Sequence, residues 1–361
     1  MTAAPPPRSR LAIVSDLHMA TPDGPLGDPF AEDDAFAGLL GALASHGPPT
    51  RLVLLGDTFD LVLADGGGLD AIAAAHPTVF RALGAFIRSG HAIEVVPGNH
   101  DIDLMRHPLQ ERLRELVGAA VGDRQAGARI GFRPWIVHVP GVLYAEHGQQ
   151  HHDLNHFRSV LIRPDAAGRG PRPPGLCLDE ARVRLARRRG RRPGAAAAAQ
   201  GATLVARAGA SALLGSGPRS RRQHELRLHA HAVELGLPAE ALVEIDRRAT
   251  PGLLRMAVRI AGRTTRARPQ EIVPAAARTV SEILAAGGAA TAFCVFGHTH
   301  VAADRSVGDH PGAPRYLNPG TWSTMVRRGR DGAEDRLRWV DIEHGGGRSP
   351  TGRLRRWEGP R

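Results

Sequence analysis

Five short stretches of this chain run from apolar residues straight into groups that bind cations. They are Ile13-Val14-Ser15-Asp16-Leu17-His18, Leu54-Leu55-Gly56-Asp57-Thr58-Phe59-Asp60, Val95-Val96-Pro97-Gly98-Asn99-His100-Asp101, Tyr144-Ala145-Glu146-His147-Gly148 and Val295-Phe296-Gly297-His298-Thr299-His300. Asp16, His18, Asp57, Asn99, His147, His298 and His300 are the candidate ligands. Their mixed nitrogen and oxygen donors, with a carboxylate able to bridge, suit two hard or borderline divalent cations about 3.5–4 Å apart. In Asp16-x-His18 and His298-x-His300, alternate residues of an extended segment share a side, so both members of a pair can face one cavity.

The remaining polar groups read differently. A single buried histidine is more often a hydrogen-bonded core residue than a ligand, and His76, His91, His107 and His138 are read that way. His151, His152 and His156 follow His147 so closely that one of them could be the ligand instead, or could contact substrate; His147 is preferred because Gly148 allows close approach to a cation. Asp60 is expected to support the ligands by hydrogen bonding and not to coordinate. Asn318 to Trp322 reads as a strand turn near the site.

The elements that must hold these groups follow an α/β rhythm. Leu11–Ser15, Arg51–Leu55 and His91–Val96 are short apolar runs with β-branched residues, read as parallel strands. Glu32–Ser45, with Phe36, Leu39, Leu40 and Leu43 at helical spacing, and Leu69–Ser89 read as the helices between them. Three such alternations argue for an α/β sheet. Pro134–Val139 and Val142–Ala145 predict a hairpin, and Thr291–Phe296, Arg315–Leu317, Thr321–Val326 and Arg336–Ile342 predict later strands. The division expected is one discontinuous domain, 1–157 and 291–345, interrupted by an Ala/Arg-rich helical insertion or cap, 158–290, with 346–361 a disordered tail.

All 47 basic residues are arginine, and the formal net charge is +11. Between Arg158 and Arg227 sixteen arginines face four acids, Asp165, Asp179, Glu180 and Glu225, so the basicity belongs to the insertion. Cys177 and Cys294 are the two cysteines, which supports neither a disulfide framework nor a thiolate zinc site. Met1–Arg10 lacks the apolar core of a secretory signal, making a cytoplasmic location the default expectation. No strongly apolar run reaches the roughly 18 residues that suggest a membrane span.

Read in order, Asp-x-His, Gly-Asp-x-x-Asp, Gly-Asn-His-Asp, His-Gly and Gly-His-x-His make the chain resemble the calcineurin-like metallophosphoesterase superfamily. The layout looks most like the branch of UDP-2,3-diacylglucosamine pyrophosphohydrolases. It departs from that branch in the length and Ala/Arg content of the insertion and in carrying Asp101 after His100, so the lipid substrate is not carried over. The resemblance implies a four-layer α/β/β/α sandwich. It implies one metal on Asp16, His18, Asp57 and His300, with Asp57 bridging to a second on Asn99, His147 and His298. His100 would protonate the leaving alkoxide or stabilise the phosphoryl oxygens, with Asp101 orienting its ring.

The activity so implied is dinuclear metal-dependent hydrolysis of a phosphodiester or pyrophosphate by in-line attack of a metal-bridging hydroxide. The same site type serves phosphomonoesterases and nucleases. Manganese, iron or zinc would suit the ligands, with manganese preferred on the oxygen-rich set. A phosphorylated small molecule or lipid is the expected substrate. The arginine-rich insertion could touch an anionic membrane surface, placing the protein at its periphery. It could equally be a solvated helical face. Its scarcity of aromatics argues against nucleic acid. A binding protein on a vestigial phosphoesterase fold is the alternative of another class, and such a chain should have lost ligands. None is missing here.

Overall fold

The computed structural model describes residues 7–24, 27–45, 47–64, 68–152, 155–157, 176, 179–180, 183, 269–308, 312–325 and 335–359. Two sheets lie face to face. The first is built around β1 (Ser9–Val14), α1 (Asp33–Ser45), β2 (Thr50–Leu55), α2 (Gly68–Ala75), α3 (Pro77–Arg88), β3 (Ala92–Val96), α4 (His107–Ala120) and β4 (Ile130–Phe132), with short helical turns at Ile102–Met105 before α4 and Arg124–Gly127 before β4. Strands β5 (Ile136–Val139), β6 (Leu143–Glu146), β7 (Phe293–Phe296), β8 (Ala303–Ser306) and β9 (Arg315–Asn318) form the second sheet. Helix α5 (Pro269–Ala286) precedes β7, and a hairpin of β10 (Arg338–Gly345) and β11 (Arg348–Arg356) closes the chain.

Sheet order explains how the layers form. The six-stranded sheet runs β11-β10-β1-β2-β3-β4 and the five-stranded one β5-β6-β7-β9-β8. Strands β1 to β4 are parallel, so each needs a crossover, and α1, α3 and α4 supply apolar faces to cover the outer side. On that side Ala12, Val14, Leu52, Leu54, Ile93 and Val95 pack with Phe36, Leu40, Phe80 and Leu113. The alternate residues Leu11, Ile13, Val53, Leu55 and Val96 point the other way, against Leu143, Ala145, Phe293, Val295 and Leu317 of the second sheet. Beyond that sheet Val273 and Ala277 of α5 cover Cys294, Phe296 and Tyr316. The result is the α/β/β/α sandwich expected.

The structure changes several expectations. Leu69–Ser89 is two helices, because Pro77 starts α3 and the chain turns at His76. Thr321–Val326 is not a strand; its described residues make an isolated bridge from Thr321 to Arg336 and otherwise turn around the site. The tail is ordered where disorder was expected. Strand β11 pairs with β10 through Leu354 and Gly352, Leu354 joins the packing between the sheets, and Trp357 lies against Gly38 of α1. An edge strand needs one ladder and one apolar side, and Arg353 and Arg355 on either side of Leu354 resemble a polar tail in sequence. The expected core of the insertion, including Arg187–Arg192 and Ala195–Ala199, lies outside the described residues. Among the described residues no helix is long and apolar enough to cross a membrane.

Candidate metal centre

Five parallel strand ends meet at one place. Asp16 and His18 follow β1, Asp57 follows β2, Asn99 follows β3, His147 follows β6, and His298 and His300 follow β7. Of the non-glycine residues described, six have positive φ, and five of these are Asp16 (57°), His18 (54°), Asp57 (50°), His298 (67°) and His300 (56°). Left-handed backbone costs such residues on the order of 1 kcal/mol or more each, and it persists only where the surroundings impose it.

Those surroundings are an interlocked set of loops. The amides of Asp16 and His18 donate to the carbonyls of Gly56 and Asp57, at 3.1 and 2.8 Å. Asp16 Oδ2 accepts from the amide of His298 at 2.9 Å and from Ser15 Oγ. From the far side, Thr321 Oγ1 donates to the Asp16 carbonyl at 2.7 Å, while Asn318 Nδ2 donates to the Gly297 carbonyl at 3.1 Å. Ser15, Asn318 and Thr321 thus brace the site, and nothing in their spacing marks serine or threonine for that part. Gly98 is required by close approach: a Cβ there would lie 2.2 Å from Asp57 Oδ1.

Three imidazoles are held with one nitrogen engaged and the other turned inward. Nδ1 of His147 donates to the Leu55 carbonyl at 2.8 Å, Nδ1 of His300 donates to the Met325 carbonyl at 2.7 Å, and Nδ1 of His18 faces Asp60 Oδ2 at 3.1 Å. Such partners fix the tautomer and leave Nε2 as a lone-pair donor. The inward atoms converge: His147 Nε2 is 3.1 Å from Asp57 Oδ2, His300 Nε2 is 3.2 Å from Asp16 Oδ1, and His18 Nε2 is 3.1 Å from His300 Nε2. Asp16 with His18 and His300, and Asp57 with His147 and His298, each form a group compact enough for one cation, while His18, Asp57 and His100 also cluster.

The charge pattern fits a cation site. Asp16 Oδ1, Asn99 Oδ1 and His147 Nε2 are buried and make no hydrogen bond despite their close neighbours. Buried lone pairs left in that state are costly, and a divalent cation would satisfy all three at once. Burial opposes ionisation of Asp16, but His147 and His300 outweigh it and hold the carboxyl down at about 2. Burial likewise disfavours a charged His147, and the carboxylates of Asp57 and Asp16 overcome it, raising the ring to about 9, so a cation bound at Nε2 would displace a proton. His298, buried and beside His147, is pushed well below its ordinary value and stays neutral.

One expected partnership is corrected. Asp101 does not orient His100. Its carboxylate accepts from the amides of Gly98 (2.6 Å), Asp57 (3.2 Å), Thr58 (2.8 Å) and Phe59 (3.2 Å), tying the β3 loop to the β2 loop. Neighbours in a tight turn point apart, and that is why adjacency in sequence misleads here. The ring of His100 rests on Asp60 instead, with Nδ1 2.9 Å from Oδ2. Burial weakens the imidazolium, but Asp60 and then Asp57 raise its pKa well above 6.5.

His76, read as a core histidine, bonds Asp33, Asp28 and the Ala20 carbonyl and ties down the loop after β1. His151 sits on Glu146. His298 has a further neighbour in Asn155, whose Nδ2 is 3.3 Å from Nε2, and the sequence reading did not include it.

Residues 9–173 match the family model of calcineurin-like phosphoesterases. That similarity covers a little under half of the chain. No curated protein matches this phosphoesterase. Among solved structures it is similar to a conserved uncharacterized protein, a predicted phosphoesterase, from Streptococcus pneumoniae, at 9% identity and TM-score 0.29, covering 97% of this chain and 99% of that one. It is also similar to a phosphopantetheinyl hydrolase from Mycobacterium tuberculosis, at 12% identity and TM-score 0.28, covering 90% and 94%. Likeness at that level adds nothing to the site geometry. The family is metal-dependent, and the phosphoesterase carries His/Asp groups able to bind metal.

Proposed function

We propose that this phosphoesterase is a dinuclear hydrolase of phosphodiester or pyrophosphate bonds. Asp16, His18, Asp57 and His300 would hold one cation, and Asp57, Asn99, His147 and His298 the other. The observation that carries the reading is the convergence of buried donor groups from five strand ends, three of whose atoms, Asp16 Oδ1, Asn99 Oδ1 and His147 Nε2, have no hydrogen bond. Bound divalent cations supply Lewis acidity and a water acidic enough to attack phosphorus near neutral pH. Manganese, iron and zinc all suit a set of two imidazole and two oxygen ligands on each cation.

The chain's own contribution is to place and protonate. Asp60 Oδ2 lies 2.9 Å from Nδ1 of His100, which leaves Nε2 as the atom for proton transfer. The attacking water would first lose a proton to solvent; as the bond from its oxygen to phosphorus forms and the ester bond breaks, His100 Nε2 gives its proton to the departing oxygen, and Asp60 stabilises the imidazolium beforehand. The carboxylates of Asp16 and Asp57 stay ionised. The substrate class proposed is a phosphorylated small molecule or lipid met in the cytoplasm.

The test is hydrolysis of bis-p-nitrophenyl phosphate with added Mn²⁺ by wild type, Asp57→Asn and His100→Ala. Turnover by wild type and none by Asp57→Asn is expected, with His100→Ala slower by on the order of 10²–10⁴-fold. Bound metal with no turnover of diesters and pyrophosphates, but turnover of p-nitrophenyl phosphate, would replace the reading by a monoesterase. Silence on all of them would favour a binding protein.

A further inference from the structure

The ring of His298 is held differently from those of His18, His147 and His300. In these three the engaged nitrogen is Nδ1, against Asp60 Oδ2, the Leu55 carbonyl and the Met325 carbonyl respectively. In His298 it is Nε2, which lies 3.3 Å from Nδ2 of Asn155, and Nδ1 has no partner among the described residues. The amide that meets Nε2 sits in a fixed frame. The backbone amides of Asn155 and His156 both donate to the His152 carbonyl at 3.0 Å, and the Phe157 amide donates to Gln150 Oε1 at 2.6 Å. Phe157 itself is buried against Ile102 and Leu176. Asn155 therefore follows none of the five strand ends, yet its side chain reaches a candidate ligand.

We infer that Asn155 is a positioning residue for His298, and through it for the second of the two cations. The inference rests on the dinuclear reading above. A neutral imidazole has one bare nitrogen and one N–H. With Nε2 turned to Asn155, Nδ1 is the nitrogen left to bind a cation beside Asp57 and His147. The ring proton then sits on Nε2 and needs an acceptor. A half-turn of the Asn155 amide brings Oδ1 to where Nδ2 stands, because the two ends of the amide have nearly the same shape. Oδ1 accepting from Nε2–H fixes the tautomer, sets the plane of the ring and makes Nδ1 a better donor to the cation. Leucine at position 155 would fill a similar space and could not accept. Aspartate there would accept more strongly than asparagine.

The test is calorimetric titration of Co²⁺ into the chelator-stripped full chain, followed in parallel by the visible absorption of the bound ion. Wild type should take up two Co²⁺, and His298→Ala marks the step that depends on this ring. Asn155→Leu should weaken that same step by about 10–100-fold with little effect on the other, whereas Asn155→Asp should bind at least as tightly as wild type. In a His298→Ala background Asn155→Leu should have no further effect, a result that a general disturbance of the turn at 152–157 would not give. Asn155→Leu binding both ions as wild type does, or weakening uptake as much without the His298 ring as with it, overturns the inference. Asn155→Asp as weak as Asn155→Leu overturns it too. Uptake of fewer than two Co²⁺ by wild type overturns the dinuclear reading, and the inference with it.

Discussion

The carboxylate of Asp60 stands between two histidines, and its distance of 2.9 Å to Nδ1 of His100 fixes which ring atom meets substrate. The same Oδ2 lies 3.1 Å from Nδ1 of His18, so one buried acid sets both a candidate ligand and the candidate proton donor. Asp60→Asn should therefore reduce kcat about 10–100-fold at saturating Mn²⁺ with a smaller effect on KM. Steady-state kinetics on bis-p-nitrophenyl phosphate decide it, and an unchanged kcat would show that His100 works without this partner.

Asp101 has a different office, because four amides share its carboxylate. Burial and the charge of Asp57 push its pKa up to about 7, against the pull of the Gly98 and Phe59 amides. Asp101→Asn presents N–H groups to N–H donors and should cost about 1–3 kcal/mol of stability. Urea unfolding of the metal-free protein measures this directly. A variant as stable as wild type would mean that the loops hold together without the clamp.

Gly98→Ala tests the closeness of the loops. The added methyl would sit 2.2 Å from Asp57 Oδ1 and 2.6 Å from its amide nitrogen, and neither atom can move without shifting the bridging candidate. Metal content after dialysis, measured by mass spectrometry, is expected to fall below that of wild type. Full metal content in the variant would remove Asp57 from the ligand set.

His76 gives a pH signature away from the metals. Its Nε2 is 2.9 Å from Asp28 Oδ2 and its Nδ1 3.0 Å from Asp33 Oδ1, with the Phe30 ring edge-on beside it. Burial disfavours the charged ring, but Asp28 and then Asp33 outweigh it, and the pKa rises above 6.5. A raised folded-state value means that the stabilisation is full below pH 6.5 and is lost as pH climbs through the folded-state pKa. In chelator, the melting temperature of His76→Gln should trail wild type most at acid pH and converge with it toward alkaline pH. A gap independent of pH would assign His76 a neutral ring.

The strand ends and their donor atoms were legible in sequence because each apolar run and its ligand motif are contiguous. In β2, Leu52 and Leu54 face helices while Val53 and Leu55 face the other sheet, yet all four are apolar, so the unbroken run marks a strand buried on both faces. Long-range hydrogen bonding was not legible. Asp60 and Asp101 are both acids near His100, and only the turn geometry shows which one touches its ring. Strand β11 escaped for a related reason, since its pairing with β10, and not its own Arg/Gly/Pro composition, makes it extended.

The position of β10 has a consequence for synthesis of the chain. It pairs with β1 from Ser9↔His344 to Ile13↔Val340, so the first strand stays an open edge until residues 338–345 have been made. At about 5–20 residues per second, translation leaves that edge exposed for on the order of tens of seconds after β2 has emerged. During this interval the nascent domain is a template for wrong pairing, with much of the packing between the sheets still missing. Growth temperature and chaperone supply should therefore govern the yield of this protein more strongly than the stability of its finished fold.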